Sequence, residues 1–201
     1  MSKILLASNN KGKLNEIIAL LADLDIELVT PAELGLDMEV AEDGQSYAEN
    51  AARKGLAFAH AANILTLADD SGLEVDALDG APGLYSARFS SKPGATDADR
   101  RAYLLLQLSG KPQPWKACFR CVIALATPSG ELKYTEGVCP GEVIPEERGS
   151  NGFGYDPIFF LPELGRTMAQ LDMNEKNKLS HRARAVIAAR PLILELSKAV
   201  K

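Results

Sequence analysis

The first seventeen residues, MSKILLASNNKGKLNEI, constrain the fold more than any other stretch. An apolar run from Ile4 to Ala7 breaks into a polar turn and then resumes with helical spacing. The run predicts a strand over residues 3–8. Leu14, Ile17, Ile18, Leu21 and Leu24 predict a helix over about residues 11–23. A short strand, IELVT, and a turn at Pro31 follow. The SYAE stretch at residues 46–49 reads as a capping box, with Ser46 accepting from the Glu49 amide and Glu49 reaching back. It opens an alanine-rich helix running to about residue 62.

ILTLADDSG reads as a buried strand that ends in two carboxylates, followed by a loop-rich stretch broken by Gly80, Pro82, Gly83, Pro93 and Gly94. Thr96 caps a further helix, through RRAYLLLQL. Trp115 to about Cys139 reads as a hairpin turning at PSGE. The glycine-rich RGSNGFGYDPIFF leads into another strand. A last helix starts near Ser180 and is interrupted or kinked at Pro191. Helices and strands alternate early and antiparallel pairing enters in the middle, so the class is α/β with a mixed sheet. One domain over residues 1–201 is expected, with room for two lobes.

Composition narrows the partners. The net charge of -5 gives no bulk attraction to nucleic acid, so an anionic ligand must be met by local donor clusters. No apolar stretch approaches the roughly 20 residues that span a bilayer, and the N-terminus lacks a secretory pattern; no membrane and a cytoplasmic location are expected. Cys118 and Cys121 form a C-x-x-C, but on a strand an odd separation sends the two side chains to opposite faces. With no second pair to answer them, they read as structural.

Four stretches carry chemistry. In SNNKGK, Ser8, Asn9 and Asn10 precede Lys11, Gly12 and Lys13 where a strand gives way to a helix N-terminus. Unpaired amides and the helix dipole favour an anion there, and Gly12 allows close approach. It is neither a Walker loop nor G-x-G-x-x-G. The competing reading is an Asn-rich turn that caps the helix. In LADDSG, Asp69 and Asp70 close a strand of an α/β sheet, where ligands are held, and carboxylates there suit Mg²⁺. Alternation sends the two Asp side chains to opposite faces. The competing reading is a turn cap. Glu39, Glu42 and Asp43 offer further carboxylates.

In GSNGFGYDP, Phe153 and Tyr155 stand among glycines beside Asp156; flat rings suit a nucleobase and the carboxylate suits ring N–H groups. The bland alternative sends those rings into the core. In EKNKLSHRARA, Lys176, Lys178, His181 and Arg182 form a donor cluster. The last two fall in a first helical turn, where the dipole opposes cations. The shared theme is phosphate, metal and base.

Five blocks, LLASNNKGKLNEI, SYAENAARKG, ADDSGLEVDALDGAPGLYSAR, GFGYDPIFF and EKNKLSHRARA, follow in order along nearly the whole chain. Together they resemble the Ham1/RdgB-like inosine triphosphate pyrophosphatase family. One departure is local: the family often has Thr-Gly-Asn where this chain has Ser8-Asn9-Asn10. The resemblance implies an elongated α/β fold, a mixed β-sheet with flanking helices and two lobes around a central cleft. It implies Mg²⁺-dependent hydrolysis of ITP, dITP and XTP to the monophosphate and pyrophosphate, by a homodimer.

Carried over, Ser8, Asn10, Lys13 and Lys54 hold the triphosphate. Glu42 and Asp70 ligate Mg²⁺. Asp70 accepts the proton, with Asp69 sharing water activation. Ser71 contacts substrate. Phe153 stacks on the purine beside Gly154, Tyr155 and Asp156, and Lys176, His181 and Arg182 read the base. The sequence does not assign the dimer face; the apolar loop around APGLYSARF is a candidate for it. Rival readings are another Mg²⁺-dependent phosphoryl or nucleotidyl transferase, a nucleotide sensor without turnover, and a nucleic-acid module.

Overall fold

A computed structural model describes residues 2–199. Its sheet has seven strands in the order β2-β1-β3-β4-β5-β6-β7. These are β1 (Ser2–Leu6), β2 (Ile26–Val29), β3 (Leu65–Val75), β4 (Trp115–Ala126), β5 (Leu132–Val143), β6 (Phe159–Leu161) and β7 (Arg166–Thr167). β1 pairs in parallel with β2 and with β3, whereas β5–β6 and β6–β7 are antiparallel. The mixed sheet expected from the alternation is therefore present. The helices are α1 (Lys11–Leu21), α2 (Tyr47–Ala62), α3 (Asp97–Leu108), α4 (Met173–Leu179) and α5 (His181–Ala199).

The chain divides into two compact units. The first comprises residues up to Asp70, Cys121–Gly137 and the chain from Arg182. One face of its strands (Ile4, Leu6, Leu65, Leu67) packs on Ile17, Leu20 and Leu21 of α1 and on Ala183, Val186, Ala189 and Ile193 of α5. The opposite face (Leu5, Ala7, Ala68) packs on Phe58 of α2. The second unit, Ser71–Arg120 with Val138–His181, has its own core of Leu73, Leu104, Trp115, Phe119, Tyr155, Phe159 and Met168.

Three expectations change. β3 does not end at the carboxylates; it runs on to Val75, because Leu73 and Val75 keep the two-residue apolar alternation and enter the second core. Ser46 does accept from Glu49 N–H at 3.2 Å, but the Glu49 carboxylate takes the Gln45 N–H at 2.9 Å, so the box closes one residue early. α5 is not interrupted at Pro191, and the helix runs through it. The ring forfeits one helical bond, and the run of Ala and Val residues that α5 buries outweighs that loss. Cys118, Cys121 and Cys139 are all free thiols. Burial first, then nearby carboxylate charge, pushes Cys118 up to about 11 and Cys121 up to about 12, so neither is a ready thiolate. Among the described residues, no helix is long and apolar enough to cross a membrane.

Candidate active site

The two-residue period of β3 decides what each central carboxylate meets. Asp69 continues the face of Leu65 and Leu67, towards α1 and α5. Its Oδ2 lies 3.0 Å from Lys13 Nζ and accepts from Arg182 Nη2 at 3.3 Å. Arg182 Nη1 donates in turn to Glu16 Oε2 at 2.5 Å. Arg182 is only 1 % exposed, and Glu16 and Asp69 are buried with it. Burial alone would raise the Asp69 carboxyl. The charges of Lys13, Arg182 and Lys54 outweigh it and hold the group well below the usual carboxylate range. Its Oδ1 is buried with no hydrogen-bond partner among the described residues, the kind of orphan that a ligand or water completes.

Asp70 continues the other face, towards α2. Asn50, in the first turn of α2, donates from Nδ2 to Asp70 Oδ2 at 2.9 Å. The Asn50 carbonyl accepts the Gly44 N–H at 2.8 Å. A side chain at residue 44 would place its Cβ 2.7 Å from that oxygen, so glycine is needed for the approach. Asn50 thereby ties Asp70 to the loop that carries Glu42. The same loop is held by Lys54 Nζ, 2.5 Å from Glu42 Oε1, and by the Arg53–Asp43 ion pair. Burial raises the Asp70 carboxyl. The Asn50 hydrogen bond and Lys13 oppose the rise, and the Glu42 charge adds to it. Lys54 moves up: burial would lower it, but Asp69, Glu42 and Asp70 prevail.

Carboxylate oxygens of this kind are the donor type that hard divalent cations such as Mg²⁺ take. No group of three His, Cys, Asp or Glu converges on a metal position among the described residues. Mg²⁺ commonly needs only one or two carboxylates, however, with water and substrate phosphate completing its shell. Glu42 and Asp70 repel each other across that loop, and a divalent cation relieves such repulsion.

In the opening turn, Asn10 is the N-cap of α1, accepting the Lys13 N–H on Oδ1 at 3.1 Å. Ser8 Oγ accepts the Asn10 N–H at 3.2 Å. The helix-cap reading is thus realised at Asn10, while the Lys13 ammonium reaches Asp69. Asn9 and Lys11 are exposed and Gly12 is half-buried.

The second unit brings together the aromatic loop and α4. Asp156 Oδ2 accepts the Phe153 N–H at 2.9 Å and Lys176 Nζ at 2.6 Å. The Lys176 ammonium stands 5.0 Å from the centre of the Phe153 ring. At Gly152, where φ is +75°, a Cβ would fall 2.1 Å from Asp156 Oδ2, so this contact requires glycine. Phe153 is half-buried. Tyr155 instead enters the core and donates its hydroxyl to Ser86 O at 2.9 Å; burial pushes its phenol up. The His181 ring stacks on Phe119 at 4.7 Å. Ser71 lies half-buried inside β3.

Two of the expected ligand residues are engaged inside the protein. Asp156 is buried and spends Oδ2 on the loop backbone and on Lys176. Arg182, expected to read a base, has its guanidinium sealed between Glu16 and Asp69, because extended backbone at Ser180 separates α4 from α5 and starts a new helical face. Two residues escaped sequence reading. Glu16 had a signal: with Lys13, Ile17 and Leu20 it shares the buried stripe of α1, where an unpaired carboxylate is costly. Asn50 had only its place in the first turn after the Ser46 cap.

The Ham1 family model matches residues 4–192. A dITP/XTP pyrophosphatase of Desulforamulus reducens is 48% identical over 195 residues, 96% of each chain. One from Listeria monocytogenes is 46% identical over 92% of each chain. Among solved structures, a HAM1 protein from Coxiella burnetii superposes with a TM-score of 0.88 at 41% identity, covering 97% of this chain and all of that one. The Staphylococcus aureus Ham1 protein gives 0.85 at 39%, with 97% and 100% covered.

Proposed function

The chain belongs to the Ham1 family, and from that premise we propose that it hydrolyses non-canonical purine nucleoside triphosphates, ITP, dITP and XTP, to the monophosphate and pyrophosphate. The observation that carries the reading is the pair of adjacent carboxylates, Asp69 and Asp70, given opposite environments beside Lys13 and Lys54. A phosphate-binding protein without turnover has no need of them.

In the proposed reaction a water attacks the α-phosphorus and pyrophosphate leaves. Asp70 takes the water's proton, since a carboxylate with a raised pKa is the stronger base. Asn50 fixes its orientation. Asp69 stays an anion and holds the Lys13 ammonium in place. Lys13 and Lys54 offset charge on the phosphate oxygens, so most of the acceleration is positioning and electrostatics. Mg²⁺, bound through Glu42 and Asp70, would add further charge neutralisation at those oxygens.

In the second unit Phe153 offers a stacking face for the purine, and Lys176 offers a donor to its 6-oxo group. Adenine presents a 6-amino donor instead, so donor would face donor at Lys176, a mismatch that rejects strongly. Guanine shares the 6-oxo group, so its exclusion falls to the 2-amino position. A homodimer belongs to the same proposal; the loop around Tyr85, 61% exposed, is its candidate face, and light scattering tests it. The decisive assay incubates the protein with Mg²⁺ and each of ITP, XTP, dITP, ATP and GTP and measures pyrophosphate. Release from the first three and little from ATP is expected; none from ITP or XTP overturns the reading.

A further inference from the structure

The aromatic loop is gripped from outside by α3, and the grip closes on a single residue. Gly154, directly after Phe153, gives its N–H to Asp97 Oδ2 at 2.8 Å and receives Arg101 Nη1 on its carbonyl at 2.8 Å. Asp97 and Arg101 stand four apart on α3 and so share one face of the helix. Both backbone polar groups of one loop residue are thus held by ionised side chains, the stronger class of hydrogen bond. Arg101 is itself fixed, because Nε and Nη2 fork onto Glu147 Oε1 and Oε2 at 2.8 and 2.9 Å. Asp97 is fixed by an ion pair with Arg100, which also donates to Ala95 O. At its start α3 carries a complete capping box between Thr96 and Asp99, so the clamp sits on a well-ordered turn.

The flanking residues have their own anchors. Phe153 N–H goes to Asp156 and the Tyr155 hydroxyl to Ser86 O. None of these contacts touches the Phe153 ring, which stays half-buried. The whole set fixes the backbone that carries the Phe153 ring.

We infer that Asp97 and Arg101 are positioning residues for purine binding, acting through Phe153 by holding its loop in the stacking geometry before substrate arrives. This rests on the proposal that Phe153 stacks on the base. A platform ordered in advance spares the ligand the cost of ordering it, so losing the clamp weakens binding and leaves bond cleavage alone. Lysine cannot replace Arg101: one ammonium does not span a bidentate carboxylate and a carbonyl together. Asparagine replaces Asp97 only in part: its carbonyl still accepts the Gly154 N–H, but its NH2 group cannot accept from Arg100.

The test is ITP hydrolysis by Arg101→Met, Arg101→Lys, Asp97→Ala, Asp97→Asn, Phe153→Ala and Arg101→Met/Phe153→Ala, with melting temperatures alongside. Arg101→Met, Arg101→Lys and Asp97→Ala are expected to raise KM roughly tenfold, the effect of one lost charged hydrogen bond, with kcat within about twofold. Asp97→Asn, which keeps the acceptor for Gly154 N–H but not the Arg100 ion pair, should raise KM less than Asp97→Ala does, with kcat within about twofold. In the Phe153→Ala background, Arg101→Met should add less than about twofold to KM, since contacts acting through one ring are not additive. Full additivity, or a fall in kcat with KM unchanged, overturns the inference while leaving Phe153 as the base platform. Should Phe153→Ala itself leave KM unchanged, the stacking reading fails and takes the inference with it. If Arg101→Met does not fold, Arg101→Lys and the Asp97 pair decide by the same criteria.

Discussion

The two faces of β3 treat neighbouring carboxylates in opposite ways. On the α1 and α5 face, Asp69 is buried among Lys13, Arg182 and Glu16 and is held below the usual carboxylate range. On the α2 face, burial pushes Asp70 up; the Asn50 hydrogen bond opposes the rise and the like charge of Glu42 adds to it. The same side chain on the same strand becomes a fixed anion in one place and a base in the next. Environment, and not residue type, divides the labour. Each prediction below can break that division.

The largest effect belongs to Asp70→Asn. Asparagine still accepts from Asn50 but takes no proton, so kcat should fall by roughly a thousandfold, as for a lost general base. Nucleotide affinity, read with a non-hydrolysable analogue, should hold. A variant with near-full turnover would mean that Asp70 is neither base nor ligand. Asp69→Asn comes next and acts on the fold. It removes the anion that Lys13 and the buried Arg182 share, and breaking a buried ion network costs about 3–5 kcal/mol, measurable by urea unfolding. Stability unchanged by this substitution would show that the α1 and α5 face is no ion lock.

The asymmetry was only half legible in the sequence. β1, α1 and the β4–β5 hairpin could be read because their periodicity and turns are local. That Asp69 and Asp70 face opposite ways also follows from strand geometry. What each meets does not. Glu16 and Arg182 are 166 residues apart in the chain, and nothing in either neighbourhood announces the partner. Arg182 therefore read as one more member of the donor cluster with Lys176 and Lys178. Ser71 and Gly72 looked like a stop after the carboxylates, yet tertiary packing of Leu73 and Val75 carries the strand past them. In the aromatic loop, Asp156 and Tyr155 looked like ligand groups because glycines and polar residues surround them; only packing shows that both are spent on the loop and the core.

A smaller effect sharpens the α2 face. Asn50→Ala removes both the donor to Asp70 and the acceptor for Gly44, and so unties the Glu42 loop from β3. Substitutions just behind a metal's ligands commonly lower affinity by about 10–100-fold. Mn²⁺ binding followed by electron paramagnetic resonance, with and without a non-hydrolysable nucleotide, should show that loss apart from any change in turnover. Unchanged affinity would separate Asn50 from cation binding and leave it a tether only.

The smallest effect is one of sign, and it separates the faces most cleanly. Asp70 has a raised folded pKa, so its contribution to stability is complete below the unfolded carboxylate value and is lost as pH rises through the folded one. At neutral pH its charge is therefore a liability, and Asp70→Asn should be slightly more stable than the parent. That advantage should shrink as the solution is acidified and the parent's Asp70 takes up its proton. Asp69 runs the other way: with its folded pKa depressed, its contribution is present above the unfolded value and disappears as pH falls through the folded one. Asp69→Asn should accordingly be most destabilising near neutrality and less so in strong acid. Urea unfolding of both variants and the parent across the acid range reads the two trends together. If both substitutions shift stability in the same direction at neutral pH, the opposition between the two faces of β3 is wrong, whatever either variant does to turnover.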